Sequence, residues 1–422
     1  MEAAKILATY VRLLGNQWRN RDGIREIQER KIRRLVRYAY ANVPYYRNLF
    51  DSAGISPGSI RNAVDLKNIP VTSKADLQER DPREITSGAI GMNDLVRERT
   101  SGSTGRPFTI FFDRDYHAMR KALFLRTLKA AKYAFGDKVL LVTGNGKSGE
   151  RKRLLRWDYA SILQSPEELA CAVNRSRPDL LYGCVTPLKL LARHVADGGA
   201  VVHKPRKILA TAESLDGETR ALLKETFDAE VFEYYGMTEM GPVGWECPEH
   251  DGFHVSEDAV IVEFLPFGPD GEGSRLVMTN LDLLGMPLIR FETGDTGSPG
   301  KPGTCPCGRS FAKLERVGGR VTDCIELRDG RIVTPYRITC ALEHIGGLRR
   351  YQFIQEDHER FTLRIETTED GFSLIGGEAA ASLKRILGDE ARIDIVPTQD
   401  ISPVPGSKFR VVESKLKQRA LP

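Results

Sequence analysis

No stretch of the 422-residue sequence is apolar for long enough to span a bilayer, which sets membrane-embedded classes aside. The opening residues, MEAAKILATYVRLL, carry Glu2 where a signal peptide would be basic, and Arg12 interrupts the apolar run. A cytoplasmic location without a membrane role is therefore expected. An excess of either charge is also missing: 62 basic and 57 acidic side chains leave a net charge of +5, so no nucleic-acid partner is implied. Cysteines number only seven, an odd count in a long chain, which points to thiols or metal ligands in place of a disulfide framework. Internal repeats and low-complexity tracts are absent as well.

Two nucleotide signatures are incomplete. LVTGNGKSGERK, residues 141–152, places Gly144, Gly146 and Gly149 at G-x-G-x-x-G spacing after a predicted strand, Lys138–Thr143. A dinucleotide fold also needs an acidic residue about 20 positions on, at the end of a second strand. Here Glu167 and Glu168 fall in SPEELACAV, an N-capped helix start, and the intervening ERKRLLRWDYASIL reads as helix. The Walker A spacing would need glycine at position 141, where Leu141 stands. The stretch reads as a loop at a strand end.

What is present is the composition of an ordinary enzyme, 41% apolar and 28% charged, in a chain long enough for more than one core. Residues 22–50 show apolar spacing of 3.6 among many charges, a basic amphipathic helix whose pattern stops at Asn-Val-Pro. Strand-like runs at 108–112, 138–143, 207–211, 230–234, 260–265 and 274–279 alternate with helical patterns, which predicts a layered α/β body. After Arg320 the texture changes to short strands and charged helices, predicting a separate α+β unit of about a hundred residues.

One loop candidate is unusual. In RTSGSTGRPFTIFFD, the six residues Thr100, Ser101, Gly102, Ser103, Thr104 and Gly105 are all glycine or hydroxyl-bearing, and Arg106 follows. Such a run lets backbone N–H groups and short donors converge on an anion. TSGSTGRP resembles the phosphate loop of the adenylate-forming superfamily, which includes acyl-CoA synthetases, NRPS adenylation domains and luciferases. In order along the chain, TAES (211–214), EYYGMTEMG (233–241), PLIRFETGDTG (287–297), RVGGRVTDCIEL (from Arg316) and PGSKFRVVESKL (from Pro405) resemble its further motifs. VRYAYANVPYYRNLF, DLKNIPVTSKADL and PDLLYGCVTPLKLLARHV resemble the phenylacetate-CoA ligase branch with its capsule-type relatives.

The resemblance implies an α/β fold: a large layered N-terminal adenylation domain of mixed sheets and helices, residues 1–322, and a small mobile α+β C-terminal domain, residues 323–422, hinged near Asp323. It implies that Thr100–Gly105 hold the departing phosphates, that Glu239 ligates Mg2+, and that Thr238 bonds the α-phosphate. Ala212, Glu213, Tyr235 and Gly236 would line the nucleotide and acyl site. Asp295 would accept the ribose hydroxyls, Arg320 would support the ribose, and Lys408 would reach the acyl carboxylate. Phe291 and Glu292 stand where tyrosine and arginine are usual, and Thr322 replaces the first of two hinge acids. By family behaviour the small domain closes in two orientations, and RDGRIVTPYR (328–337) would enter the site in the second.

Cys305 and Cys307 in GTCPCGRS, with Cys247 and either His250 or His254 in WECPEHDGFHVSED, offer the donors of a closed tetrahedral zinc site. The resemblance favours zinc and His254. Cys171, Cys184, Cys324 and Cys340 have no such grouping and read as buried apolar residues.

The expected activity is ATP-dependent adenylation of a carboxylic acid, an aryl acid by resemblance, followed by transfer to a thiol, with ATP, Mg2+, structural Zn2+ and coenzyme A as cofactors. A carrier-protein phosphopantetheine or an amine is the alternative acceptor, and a non-catalytic zinc-stabilised relative the alternative class. The expected partners are the small-molecule acid and, for the alternative acceptor, an acyl carrier protein; a homodimer is left open.

Overall fold

The computed structural model describes residues 2–99, 108–144, 151–152, 156–267, 273–342, 345–346, 348, 350–366, 372–398, 401 and 410–416. Its helix starts follow local chemistry. Ser165 accepts a bond from Glu168 N and the Glu168 carboxylate answers to Ser165 N, a capping box opening helix Pro166–Ser176. Helix Arg21–Asn42 ends at Val43, because Pro44 disfavours helix before it, and Pro44 itself opens helix Pro44–Ser52.

A twelve-stranded sheet organises the chain up to Arg320. Trp157–Ser161, Val139–Thr143, Leu180–Cys184, Lys207–Thr211 and Glu230–Met237 lie side by side in parallel. Beyond Glu230–Met237 the sheet turns antiparallel through Gly241–Trp245, Phe253–Val255 and Lys313–Arg320 to Phe291–Pro299, Gly273–Asn280 and Val260–Phe267. Glu230–Met237 is thus the seam between the two halves.

The parallel strands alternate cleanly between two faces, as the strand period of two requires. Leu140, Val142, Ala160, Leu181, Ile208, Ala210 and Val231 face helices Pro166–Ser176, Val185–Ala196 and Gly217–Phe227 in one core. Val139, Trp157, Leu180, Tyr182, Leu209 and Phe232 face the other way, onto Phe124, Leu128 and Ala131 in and after helix Arg114–Ala130. The N-terminal helices are fastened across the antiparallel half by buried polar links. Arg126 Nη1 and Nη2 donate to the two oxygens of Asp258 at 2.9 and 3.0 Å, Arg126 also donates to Leu13 O, and Asn16 donates to Asp258 at 2.9 Å.

After the 3-10 turn Val321–Asp323, a four-stranded sheet runs in the order Arg392–Thr398, Arg360–Glu366, Arg350–Gln355, Val412–Ser414. Helices Pro335–Leu342 and Phe372–Leu387 cover it, and every residue of that core comes from position 325 onward. The residues on either side of Val321–Asp323 therefore build separate sheets and separate cores. No helix among the described residues is long and apolar enough to cross a membrane.

The predicted strands form where expected, but ERKRLLRWDYASIL is not a helix. Arg151–Lys152 and Trp157–Ser161 are antiparallel strands at the sheet margin. The apolar residues of 157–161 satisfy both periods, and pairing with Val139–Thr143 decides for strand. Cys171 is exposed and Cys184 half-buried, against expectation, while Cys324 is buried. Cys171 sits on the outer side of a helix whose inner side is filled by Leu169, Ala170, Ala172 and Val173. The side chain of Cys340 lies outside the described residues.

Candidate active site and metal centre

The carboxyl ends of parallel strands are where open α/β sheets collect ligands. At this edge the seam strand Glu230–Met237 turns back through Thr238, Glu239 and Met240 into Gly241–Trp245. Gly241 supplies the left-handed residue of this tight connection at φ +71°, so Thr238 and Glu239 are presented at a hairpin tip. Gly236 lets the strands close up, since a Cβ there would stand 3.0 Å from the Tyr234 ring and 3.1 Å from Gly241 O. One strand along, Ala212 has φ +70° in the turn after Lys207–Thr211, and the neighbouring Glu213 accepts a bond from Thr186 N at 2.6 Å.

Asp295 reaches the same edge from Phe291–Pro299. It is buried, accepts a bond from the Tyr235 hydroxyl at 2.6 Å, and meets Arg320 Nε at 3.0 Å. Burial, followed by the Asp295 charge, raises the Tyr235 phenol well above its ordinary value. Glu239 is 7% exposed; burial raises its carboxyl, opposed by a bond to its own backbone and then by the charges of Lys74 and Arg320. A carboxylate kept dry between cations is suited to a hard metal ion and phosphate oxygens.

Lys74 was not singled out in the sequence. The Ser73 capping box starts its helix, Lys74–Gln78, and Thr72 bridges to Phe291 through Thr72 N to Arg290 O and Glu292 N to Thr72 O. Lys74 Nζ stands 5.9 Å from the ring centre of Phe108, which stacks on Phe291 at 6.4 Å. Burial lowers the Lys74 ammonium, with Glu239 opposing and Arg320 adding. Its signal in sequence was only the Thr-Ser-Lys-Ala-Asp capping pattern. The two unusual residues of FETGD are accounted for: Phe291 packs on Phe108, and Glu292 is paired with Arg275 at 3.0 Å.

Thr100–Gly105 and Lys408 lie outside the described residues, as do positions 145–150 of the glycine-rich stretch. Arg410, two residues after Lys408, is described.

The second centre is the group Cys247, His254, Cys305 and Cys307, whose donor atoms all lie within 4.8 Å of one another. Cys247 Sγ and Cys305 Sγ are 3.7 Å apart, and Cys307 Sγ is 3.3 Å from His254 Nε2. A tetrahedron with Zn–S bonds of about 2.3 Å has edges near these lengths. Burial, with Arg309 next, holds the His254 imidazole down to about 4, hence neutral and able to ligate. Burial pushes the Cys247 thiol up to about 12, so a thiolate there needs a cation beside it. The donor set fits zinc. His250 is not in the group; at φ +50° its ring turns to Glu246, Nδ1 to Oε2 3.4 Å. Trp245 packs against His254 with ring centres 5.2 Å apart and planes tilted by 35°, and Arg309 lies over both Trp245 and Trp18.

No protein-family model matches the chain. Among curated proteins it is 28% identical over 387 residues to the phenylacetate-coenzyme A ligase of Thermus thermophilus, covering 85% of this chain and 84% of that protein. It is 22% identical over 409 residues to the protein CapK of Staphylococcus aureus, covering 93% and 89%. Among solved structures, 2-hydroxyisobutyryl-CoA ligase in its postadenylation state in complex with R3-HIB-AMP matches with a TM-score of 0.78 at 19% identity, over 95% of this chain and 91% of that one. The same ligase in its thioesterification state, with 2-HIB-AMP and CoA, matches at 0.63 over 95% and 92%. The fold is that of acid–CoA ligases.

Proposed function

We propose that this homologue of the phenylacetate-coenzyme A ligases is an AMP-forming acid–thiol ligase, which activates a carboxylic acid with ATP as the acyl-adenylate and passes the acyl group to coenzyme A. The observation that carries the reading is the meeting of Tyr235, Glu239, Asp295 and Arg320 at the carboxyl ends of the parallel strands.

In the first half-reaction a carboxylate oxygen bonds to the α-phosphorus of ATP, and the bond to the bridging oxygen breaks to release pyrophosphate. Two anions must meet, so positioning and charge neutralisation dominate. Thr100–Gly105 hold the departing phosphates through backbone N–H groups and hydroxyls. Lys74 adds a fixed positive charge at the edge of that space. Asp295, held by Arg320, orients the ribose, Thr238 bonds the α-phosphate, and Tyr235 with Ala212, Glu213 and Gly236 shapes the nucleotide wall. Glu239 would hold Mg2+, which supplies charge neutralisation to the phosphate oxygens. Lys408 stabilises the acyl carboxylate as it attacks.

In the second half-reaction the thiol sulfur bonds to the carbonyl carbon, its proton is lost to solvent, and the bond from that carbon to the phosphate oxygen breaks, its electron pair leaving with AMP. Residues 323–422 act as a domain hinged at Asp323 that reorients between the two steps. Cys247, His254, Cys305 and Cys307 would hold zinc with no open position, a structural cross-link.

The deciding experiment is acid-dependent exchange of labelled pyrophosphate into ATP across aryl, hydroxyaryl, aminoaryl and short aliphatic acids, followed by addition of coenzyme A. Exchange and a coenzyme A thioester are expected. Transfer only to carrier-protein phosphopantetheine or to an amine would reassign the acceptor. No exchange with any acid, from folded and zinc-replete protein, would reject acid activation.

A further inference from the structure

Immediately beneath the hairpin tip lies a layer of packed aromatic side chains. Because the parallel strands are in register, the face turned to helix Arg114–Ala130 is arranged in tiers about 7 Å apart. The top tier carries Tyr234, the next carries Tyr159, Tyr182 and Phe232, and the lowest carries Trp157. Phe124 closes the side: its ring lies 5.5 Å from Tyr182, 6.1 Å from Tyr234 and 6.1 Å from Trp157. The strand order reverses between Val139–Thr143 and Leu180–Cys184, so this layer also borders the switch point where such sheets bind ligands.

Strand alternation puts Tyr234 on the opposite side of the seam strand from Tyr235. Tyr235 serves Asp295, on the side assigned to the ribose, whereas the Tyr234 ring runs under Gly236 toward Phe124. An acid whose carboxylate reaches Thr238 would therefore turn its remaining atoms toward this aromatic layer. Flat aromatic walls favour a flat ring.

One polar feature stands in this apolar layer. The hydroxyls of Tyr182 and Tyr234 meet at 2.8 Å, across two strands that are not neighbours. That bond uses one of the two phenol protons.

We infer that Tyr182 and Tyr234 are the specificity-determining floor of the acyl pocket, and that the acid activated is an aryl carboxylic acid bearing a hydroxyl or carbonyl oxygen on the ring edge far from its carboxylate. This rests on the acid-activating reading above. The substrate oxygen inserts at the phenol pair, accepting from one hydroxyl. Since the phenols satisfy each other when the site is empty, an unsubstituted ring does not strand two buried donors. Discrimination is then about 10- to 100-fold, below the 10⁴ or more of sites whose donors have no alternative partner.

The test compares matched acids, benzoate with 3-hydroxybenzoate and phenylacetate with 4-hydroxyphenylacetate, in pyrophosphate exchange by the wild-type chain, Tyr182→Phe and Tyr234→Phe. In the wild type the hydroxylated member of at least one pair is expected to have kcat/KM about tenfold or more above its partner. Each variant brings that ratio close to one, while KM for ATP stays in place, which a general loss of structure would not allow. Equal or better use of the unsubstituted acids by the wild type, or a ratio retained in both variants, overturns the assignment of the floor while leaving acid activation standing. Absence of exchange with every acid overturns acid activation, and this inference with it.

Discussion

Arg410 Nη1 lies 3.3 Å from Asp323 Oδ1, so the segment just beyond the lysine motif is tied to the turn that joins the two cores. Both side chains are largely shielded, Arg410 at 33% and Asp323 at 15% exposure. The reorientation about Asp323 proposed above would remake this contact. The Arg410→Ala variant should slow pyrophosphate exchange about 5- to 10-fold, the equivalent of roughly 1 kcal/mol for a partly exposed pair. Thioester formation from supplied acyl-adenylate should change by less than about twofold, because the pair serves only the orientation in which it forms. Equal slowing of both steps would argue against that role.

Lys74→Met should lower kcat/KM for ATP in the exchange reaction by about 10²-fold, the usual scale for removing one preorganised charge from a dry site. The melting temperature should hardly move, since the half-buried ammonium gains little from its surroundings when no phosphate is present. A variant with unchanged exchange would make Lys74 a helix-start residue only.

Elemental analysis should find about one zinc per chain, bound by the Cys3His group. Chelation, or Cys305→Ser, should lower the midpoint of unfolding by about 5 °C or more, given that 1 kcal/mol shifts a domain of this size by about 2–4 °C. Because the Trp245 ring packs against His254, the indole fluorescence should change with the metal before the chain unfolds. Retained stability and emission after complete metal removal would dismiss the ion.

Glu233 gives a pH signature. Burial first, and the Glu246 charge second, push its carboxyl up to about 8 from an ordinary 4.5. Between those values the folded chain holds a proton that the unfolded chain has lost, so this residue's contribution to stability falls as pH rises through the window. Glu233→Gln keeps an acceptor for Leu215 N, and Arg220 retains its paired contacts to Glu246 at 2.7 and 3.1 Å. The variant should melt several degrees above the parent near pH 9, with the gap closing toward pH 5. A gap that stays constant with pH would show that Glu233 does not titrate there.

Local motifs were the legible part of this molecule. A hairpin tip such as Met237–Gly241 writes its glycine and its polar residues side by side, and the Cys-x-Cys loop does the same for the metal donors. Asp295 was singled out by the resemblance of PLIRFETGDTG to a family motif, and its partner Arg320 by the resemblance of the hinge segment. Lys74 was not, because a lysine on the first turn of a short helix looks solvated. What half-buries it is the bridge from Thr72 to Phe291, a partner far along the chain. Trp157–Ser161 was misread for a related reason: its charged approach looked helical, and only the neighbouring parallel strand decides its state. The phenol pair likewise arises from two strands that never touch.

The fastening of the first helices has a consequence for how the chain is made. Asn16 waits for Asp258, Arg21 for Glu257, and Gln17 for Arg309, separations of 242, 236 and 292 residues. During synthesis the first two helices emerge long before any of these partners leave the ribosome. At about 5–20 residues per second, these links close on the order of 15 to 60 seconds after the helices are made. The parallel strands and their helices, closed by contacts between near neighbours in sequence, can settle in that interval, and Leu13 can already meet Arg126 of helix Arg114–Ala130. A nascent chain stalled before Asp258 would leave Arg126 and Asn16 without the carboxylate that joins them.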